Sequence, residues 1–578
     1  LSRETDASTT PGISVWRVAG VAGAFIVFSS PTFWLHWRGA PPPSYIPTTV
    51  TLGVLVFALV ATWPRARAIR SSTRRGLAVA IALVGCALLA VGASHWIGLV
   101  LANPIDPYRG DMLPIMDAAL RRFMRGRDPY ALYHVPWEAP LPWGPVLWMP
   151  FLIPHALGAD LRLAGVAGQL ILPVWSVVAA ALEAARGRVL ASVMWLVLVC
   201  VVLSNPDLAE FTPVAHTSAY WPLLPLFAVL VAAERWQTAA VVLGLIVVGR
   251  STMAAGAPIF LLWIWVHRRP LALRVLVAFV APIVLLILPF ALWDPHALWY
   301  GMVSHYARDI KAIVWPVRNQ GVDLTIGLTG WLVAHGFERF VEVSQLCAMV
   351  LVYAAAWFAI RRGARPIPWM VLAVLAFCMT TLWPMYYIYF EVLLLLVAAA
   401  LADTIPSWTT AAQIRAWTGS LVATAVLIAV ALVWWTSAYP TLDFGRTDAS
   451  RSLYKGFLQA RIGDETLPWI WGTDAIVSIA RRSNAPADLV IAAQPVVPRD
   501  AAHQSVTAIL NGRVLATLQA PPGWQELRFA VPPDVWLIGA NELKLTCGST
   551  TPPILVGLGD DARHLALGVR KITLEPAR

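Results

Sequence analysis

Residues 103–150 read NPIDPYRGDMLPIMDAALRRFMRGRDPYALYHVPWEAPLPWGPVLWMP, a polar and aromatic insert between apolar runs long enough to cross a membrane. Acids, arginines, tyrosines and prolines crowd into it. Lipid offers no partners to irregular backbone or to charge, so such an insert belongs at a membrane surface or beside a cavity. A polar loop held there is a place where a site can be built. The fold class follows from this contrast: a mostly α, polytopic membrane protein.

Composition agrees. Of 578 residues, 58% are hydrophobic and only 13% charged, against about a quarter charged in an ordinary soluble domain. The net charge of +11 first suggests nucleic acid as a partner. Its distribution argues against that, since the arginines gather in short linkers between apolar runs, as the positive-inside bias requires. The expected partner is the lipid bilayer. Five cysteines, Cys86, Cys200, Cys347, Cys378 and Cys547, are widely spaced and fit neither a disulfide framework nor a zinc site. No cleavable signal peptide is expected, because the first apolar run passes directly into bulky, proline-rich sequence.

Taken in order, spans are expected near 13–33, 46–63, 76–101, 161–183, 189–204, 219–233, 238–250, 252–266, 272–292, 339–360, 367–384, 387–403 and 418–437, about 13 in all. The linker carrying Arg65, Arg67, Arg70, Arg74 and Arg75 is the densest basic cluster between spans and marks the cytoplasmic side. The N-terminus is then cytoplasmic, and the 103–150 insert and the C-terminus are extracytoplasmic. Residues 1–75 supply two additional N-terminal helices, 76–438 the main membrane domain and 439–482 a linker. Over 483–578, short alternating runs separated by Asn511-Gly512, Pro521-Pro522-Gly523 and Gly559-Asp560 predict a β-sandwich of about 100 residues.

Asp111 opens an amphipathic segment with Met112, Ile115, Met116, Ala119, Leu120 and Phe123 on one face. Asp106, Asp128, Arg109, Arg125 and Arg127 share the insert. A carboxylate at a membrane boundary can take the proton of a hydroxyl, and guanidinium groups can hold a phosphate through paired contacts. As a plain structural feature, Asp111 is an N-cap. On the same side lies 304–318, with His305, Arg308, Lys311 and Arg318, a phosphate-binding candidate or a headgroup-level amphipathic helix. Arg250 interrupts an apolar region and is a functional candidate for that reason. Asp207, Glu210 and His216 occupy a second outer loop, without the spacing of a metal site. No metal or other cofactor is expected to be required.

The run Asp111 to Gly126-Arg127-Asp128-Pro129-Tyr130, then Tyr133 and the prolines up to Pro145, resembles the first outer loop of the GT-C glycosyltransferases. The resemblance is to the GT87/DUF2029 branch, which uses polyprenyl-phosphate mannose or arabinofuranose. Asn319-Gln320 and Trp383-Pro384-Met385-Tyr386-Tyr387 resemble later motifs of that branch, although Gly321-Val322-Asp323 replaces a usual serine and Tyr386 a usual histidine. The resemblance implies a GT-C catalytic domain over 76–438 and an inverting transfer with Asp111 as general base. Asp207 or Glu210 would be an additional acid. Arg109, Arg250, His305, Arg308, Lys311 and Arg318 would hold the donor phosphate, and Asp128, Tyr130, Asn319, Gln320, Tyr386 and Tyr387 the sugar or acceptor. The donor would be a polyprenyl-phosphate sugar and the acceptor an envelope glycan or glycolipid, at a bacterial cytoplasmic (inner) membrane.

The C-terminal region is similar to jelly-roll-like modules attached to such enzymes, in which Trp524 and Trp536 are candidate glycan platforms. Two other classes stay open: a transporter or flippase for a lipid-linked saccharide, and an O-antigen-type polymerase or ligase using a pyrophosphate carrier.

Overall fold

A computed structural model describes residues 20–25, 71–102, 112–134, 138–156, 160–214, 216–310, 327–383, 387–404, 441–444, 453–462, 465–481, 486–536 and 539–577. The first long helix, α1 (Ser71–Ala102), lies along α3 (Arg162–Ala185), which also packs on α4 (Val189–Leu203). Between α1 and α3 come the amphipathic α2 (Met112–Met124) and a small hairpin, β1 (Leu132–His134) with β2 (Glu138–Pro140). Beyond α4 the chain forms α5 (Pro206–Phe211), α6 (Leu223–Ala232), α7 (Trp236–Gly249), α8 (Ala257–His267) and α9 (Ala272–Trp293). A π-helical turn, Tyr300–Ile310, is followed later by α10 (Val341–Arg361), α11 (Pro366–Thr380) and α12 (Ile388–Thr404). The helices share one apolar core that includes Trp96, Trp148, Trp175, Trp195 and Trp221.

The expected count of about 13 spans is corrected. Among the described residues four helices are long and apolar enough to cross a membrane: Arg74–Val100, Arg162–Ala185, Arg269–Trp293 and Glu338–Arg361. A fifth is added if Val189–Leu203 and Pro206–Val214, bent by 46°, count as one. The stretches expected as spans at 219–233, 238–250, 252–266, 367–384 and 387–403 are apolar but fold as helices of 10–17 residues. Those runs already end at breaks such as Arg250, and the helices they form stop short of the 18 residues or more that a crossing needs. Expected spans at 46–63 and 418–437 lie outside the described residues, as does all of 13–33 except the helical residues 20–25.

Three of the four long helices bury little of themselves: 22% of the window in α1, 17% around α9 and 11% around α10, against 83% in α3. Leu83, Val91, Leu285, Leu292, Leu346 and Leu351 stand more than half exposed. Contiguous apolar surface on that scale marks a membrane or partner contact.

The C-terminal strands form two open antiparallel sheets around a second, separate core. In the five-stranded sheet the order is β10 (Arg513–Ala520), β9 (Gln504–Leu510), β12 (Gly539–Cys547), β7 (Asp474–Arg481), β4 (Leu453–Lys455). In the other it is β11 (Gln525–Phe529), β8 (Ala487–Pro495), β13 (Leu565–Pro576), β6 (Glu465–Trp471), β5 (Phe457–Ile462), with β3 (Thr441–Asp443) on β13. The expected jelly-roll-like module over 483–578, with 439–482 as a linker, is corrected by this pairing. Strands β3 to β7 come from the supposed linker, and β6 and β7 lie inside the sheets. Strand β9 alternates buried and half-buried residues along its length, as one face on a core requires. Asn511 (φ 52°) and Gly512 (φ 83°) both take the left-handed region that a tight two-residue hairpin needs.

Candidate functional site

The amphipathic reading of α2 holds: Leu113, Ile115, Met116, Ala119 and Leu120 are buried. At its end Gly126, at φ 68°, turns the chain. Arg122 Nε donates to the Asp128 carbonyl, and Asp128 Oδ1 accepts from Tyr130 N at 3.0 Å. Partial burial pushes the Asp128 carboxyl up, against the Tyr130 amide that pulls it down. Tyr130 Oη donates to the Trp143 carbonyl (2.8 Å) and accepts from Trp148 Nε1 (3.3 Å). The Gly-Arg-Asp-Pro-Tyr stretch is therefore a fastener. Tyr130, expected at the sugar, has spent its hydroxyl on fixing Trp143.

Trp143 stands at the head of a chain of contacts. Its ring centroid is 4.8 Å from that of His216, which is 5.6 Å from that of Tyr387. Phe211 stacks on Tyr387 at 5.5 Å. The Arg250 guanidinium lies 5.9 Å from the centre of the Tyr387 ring, within cation–π range. Arg250 Nε donates to Glu391 Oε2 at 3.1 Å.

Two close approaches set this arrangement. A side chain at Gly144 would strike the Val248 carbonyl near the end of α7, and one at Gly168 the Ser218 carbonyl. The insert thus seats backbone to backbone on α7, which runs up to Arg250, and the second loop seats likewise on α3.

Glu391 is fully buried and the Arg250 side chain only 11% exposed. A buried charge persists only when paired, so the pair holds both groups in place. Arginine carries five N–H donors, and Nε is the one spent on a described side chain. Around the pair, the hydroxyls of Tyr220 and Thr252 are buried beside the Glu391 carboxylate. His216 Nδ1 faces the Val214 carbonyl at 3.3 Å. A carbonyl only accepts, so Nδ1 bears the proton and Nε2 keeps its lone pair. Burial, with the Arg250 charge adding to it, depresses His216 to about 3, and the ring is neutral at ordinary pH.

The other expected residues divide as follows. Asp207 is buried in the first turn of α5, where Asn205 Oδ1 caps Leu208 N, and Glu210 is exposed at the other end of that helix. His305 is buried, with Nδ1 3.1 Å from Tyr300 Oη and 3.7 Å from Asp309, and its basicity is lowered by burial. Arg308, one turn on, is exposed. Tyr306 touches Trp383 (6.1 Å between centroids), which brings the π-helical turn against the Trp383 stretch. Asp106, Arg109, Asp111, Lys311, Arg318, Asn319, Gln320 and Tyr386 lie outside the described residues.

In the β-region, Trp536 is a core residue whose Nε1 donates to the Ala487 carbonyl, so it offers no ring to a glycan. Trp524 is 39% exposed, with Arg570 4.1 Å from its ring centre. Among the described residues no group of three or more His, Cys, Asp or Glu side chains could hold a metal ion.

Glu391, Tyr220 and Thr252 were missed by sequence reasoning. One signal was present: Glu391 is an acid inside IYFEVLLLL, and an ionisable residue in an apolar helix is a functional candidate by default. Compared with protein-family models, with curated proteins and with solved structures, the chain matches none.

Proposed function

We propose that the chain is an integral-membrane glycosyltransferase that moves a sugar from a polyprenyl-phosphate donor to an envelope glycan or glycolipid. The reaction lies on the extracytoplasmic side of a bacterial inner membrane. One observation carries this reading: Arg250 is pinned through Nε by Glu391, with its guanidinium held beside the Tyr387 ring. An arginine oriented this way at a helix break is suited to a phosphate, because its planar fork matches two oxygens at once. The packed rings of Trp143, His216 and Tyr387 fix the surroundings of that arginine.

In this reading the donor phosphate meets Arg250, with Arg308 as a second cation on the same side. Asp111, the residue before α2, takes the proton of the acceptor hydroxyl as it attacks the anomeric carbon. The C–O bond to phosphate breaks as the new glycosidic bond forms, with inversion. The polyprenyl phosphate leaves as an anion and requires no proton. Placement and fixed charge supply most of the rate.

The test uses the full chain in proteoliposomes with polyprenyl-phosphoryl mannose and arabinofuranose as donors. Asp111→Asn is expected to bind donor and lose transfer, whereas Arg250→Met loses donor binding. Unchanged turnover in Asp111→Asn would remove the base assignment. Unchanged donor binding in a folded Arg250→Met protein would remove the phosphate assignment.

A further inference from the structure

The β-region carries a feature unrelated to sugar transfer. Trp471, Ile554 and Leu555 are 62%, 49% and 56% exposed. They come together through β13: Leu565 pairs with Trp471 on one side and bridges Thr551 on the other, and the turn Pro553–Val556 begins two residues later. The loop from Thr551 to Leu565 is built rather than frayed. Thr551 and Leu565 exchange two backbone hydrogen bonds (2.9 and 3.2 Å), and Ile554 N donates to the Asp561 carbonyl at 3.1 Å. Leu558 N closes on the Pro553 carbonyl, and Arg563 clamps Asp561 through Nε and Nη2. A braced loop therefore holds two aliphatic side chains out into solvent, across Leu565 from an exposed tryptophan, with Arg563 and His564 just before Leu565 in the chain.

From this geometry we infer that the Trp471/Ile554/Leu555 tip inserts into the headgroup layer of the bilayer in which the same chain's apolar helices lie. Size decides between a membrane and a protein partner. A stable protein interface needs about 800 Å² and 20–30 residues from each side, and three projecting side chains fall far short. A shallow lipid contact needs only a few apolar groups and favours tryptophan at the interface. Chain connectivity supplies the bilayer, since β3 starts 37 residues after the end of α12 in a chain with four helices of spanning length. The tip would hold the β-region at a fixed height over the membrane surface.

The test places the photoreactive residue p-benzoylphenylalanine at position 555 of the full chain, and separately at position 514. Val514 is 60% exposed on β10, away from the tip. Both proteins are reconstituted in vesicles of phosphatidylethanolamine and phosphatidylglycerol, irradiated, digested and examined by mass spectrometry. Lipid adducts at 555 are expected in about tenfold excess over 514. Both positions are on the surface, so folding is not at stake, and wild-type-like melting of each protein checks this. Adducts at 555 confined to peptides of this chain, within one copy or between two, would overturn the inference. Equal lipid labelling at 555 and 514 would overturn it too. Neither result bears on the transfer reaction, which has its own readout.

Discussion

Replacing Arg250 by methionine should leave Glu391 as a buried carboxylate without a charge partner. In the structure its Oε2 is bound to Arg250 Nε, and the neutral hydroxyls of Tyr220 and Thr252 beside it bring no compensating charge. Breaking a buried pair by removing one member typically costs 3–5 kcal/mol, whereas replacing both members by apolar groups is often neutral or better. Arg250→Met is therefore expected to lose about 4 kcal/mol of stability. Glu391→Gln, which keeps an acceptor but loses the charge, should lose roughly 1.5–3 kcal/mol. The double variant Arg250→Met/Glu391→Leu should return to within about 1 kcal/mol of the wild type. The assay is denaturant unfolding in detergent, followed by far-ultraviolet circular dichroism, with polyprenyl-phosphate binding measured in parallel. The double variant separates two roles of Arg250. If the pair were only structural, restored stability would bring binding back; if Arg250 grips phosphate, the folded double variant still fails to bind. A double variant as unstable as Arg250→Met would refute the pairing argument. So would an Arg250→Met protein within about 0.5 kcal/mol of the wild type.

Three further outcomes are expected. His216 is depressed from its ordinary value to about 3, so the unfolded chain binds its proton first and stability is complete above about pH 6.5 and lost as pH falls toward 3. The slope from this group is up to about 1.4 kcal/mol per pH unit; melting His216→Gln between pH 7 and 4 should show a shallower loss than wild type, and an equal slope would refute it. Tyr130→Phe leaves the Trp143 carbonyl and Trp148 Nε1 without their shared partner, which should cost roughly 1–3 kcal/mol and lower turnover by displacing Trp143. Wild-type stability and rate together would show that the fastener is not needed. Gly144→Ala drives a methyl group into the Val248 carbonyl and should cost about 1–3 kcal/mol, seen as a lower melting temperature, whereas Gly126→Asn at the open left-handed turn should be mild.

Much of the local structure was legible because local rules decided it. The apolar face of α2 follows from helical spacing, and the hairpin at Asn511-Gly512 from the need for positive φ at two successive positions. Arg250 and Tyr387 were also named from sequence, and the fold places them together with His216. The span count failed for a physical reason. Hydropathy sums over a window, and the windows at 238–250 and 387–403 stay apolar although the first holds Arg250 and the second Glu391 and Asp403, while the helices they form have fewer than 18 residues. Arg250 was noticed because it ends a run; Glu391 was absorbed into one. Their partnership is separated by 141 positions, a distance over which no local pattern speaks. Tryptophan was the other blind spot: ring size does not tell facing, and Trp536 lies in the core while Trp471, passed over in a supposed linker, is exposed.

The corrected helix count and the candidate site are consequences of the same breaks. Helix α7 ends at Gly249, Arg250 takes an extended conformation (φ −143°, ψ 106°), and a 3₁₀ segment, Ser251–Gly256, leads into α8. The chain breaks likewise at Asn205-Pro206 ahead of the His216 loop, and between α11 and α12 ahead of Tyr387. An unbroken span satisfies all its backbone internally and can face lipid on every side. A broken one cannot, and interrupted helices are tolerated at membrane depth only where protein or a polar cavity covers them. The three breaks meeting at Arg250, His216 and Tyr387 are covered in this way by protein, since His216 and Glu391 are buried and Arg250 nearly so. The extended residue at the end of α7 is the one whose guanidinium meets Glu391, so the break and the buried pair are set by the same position.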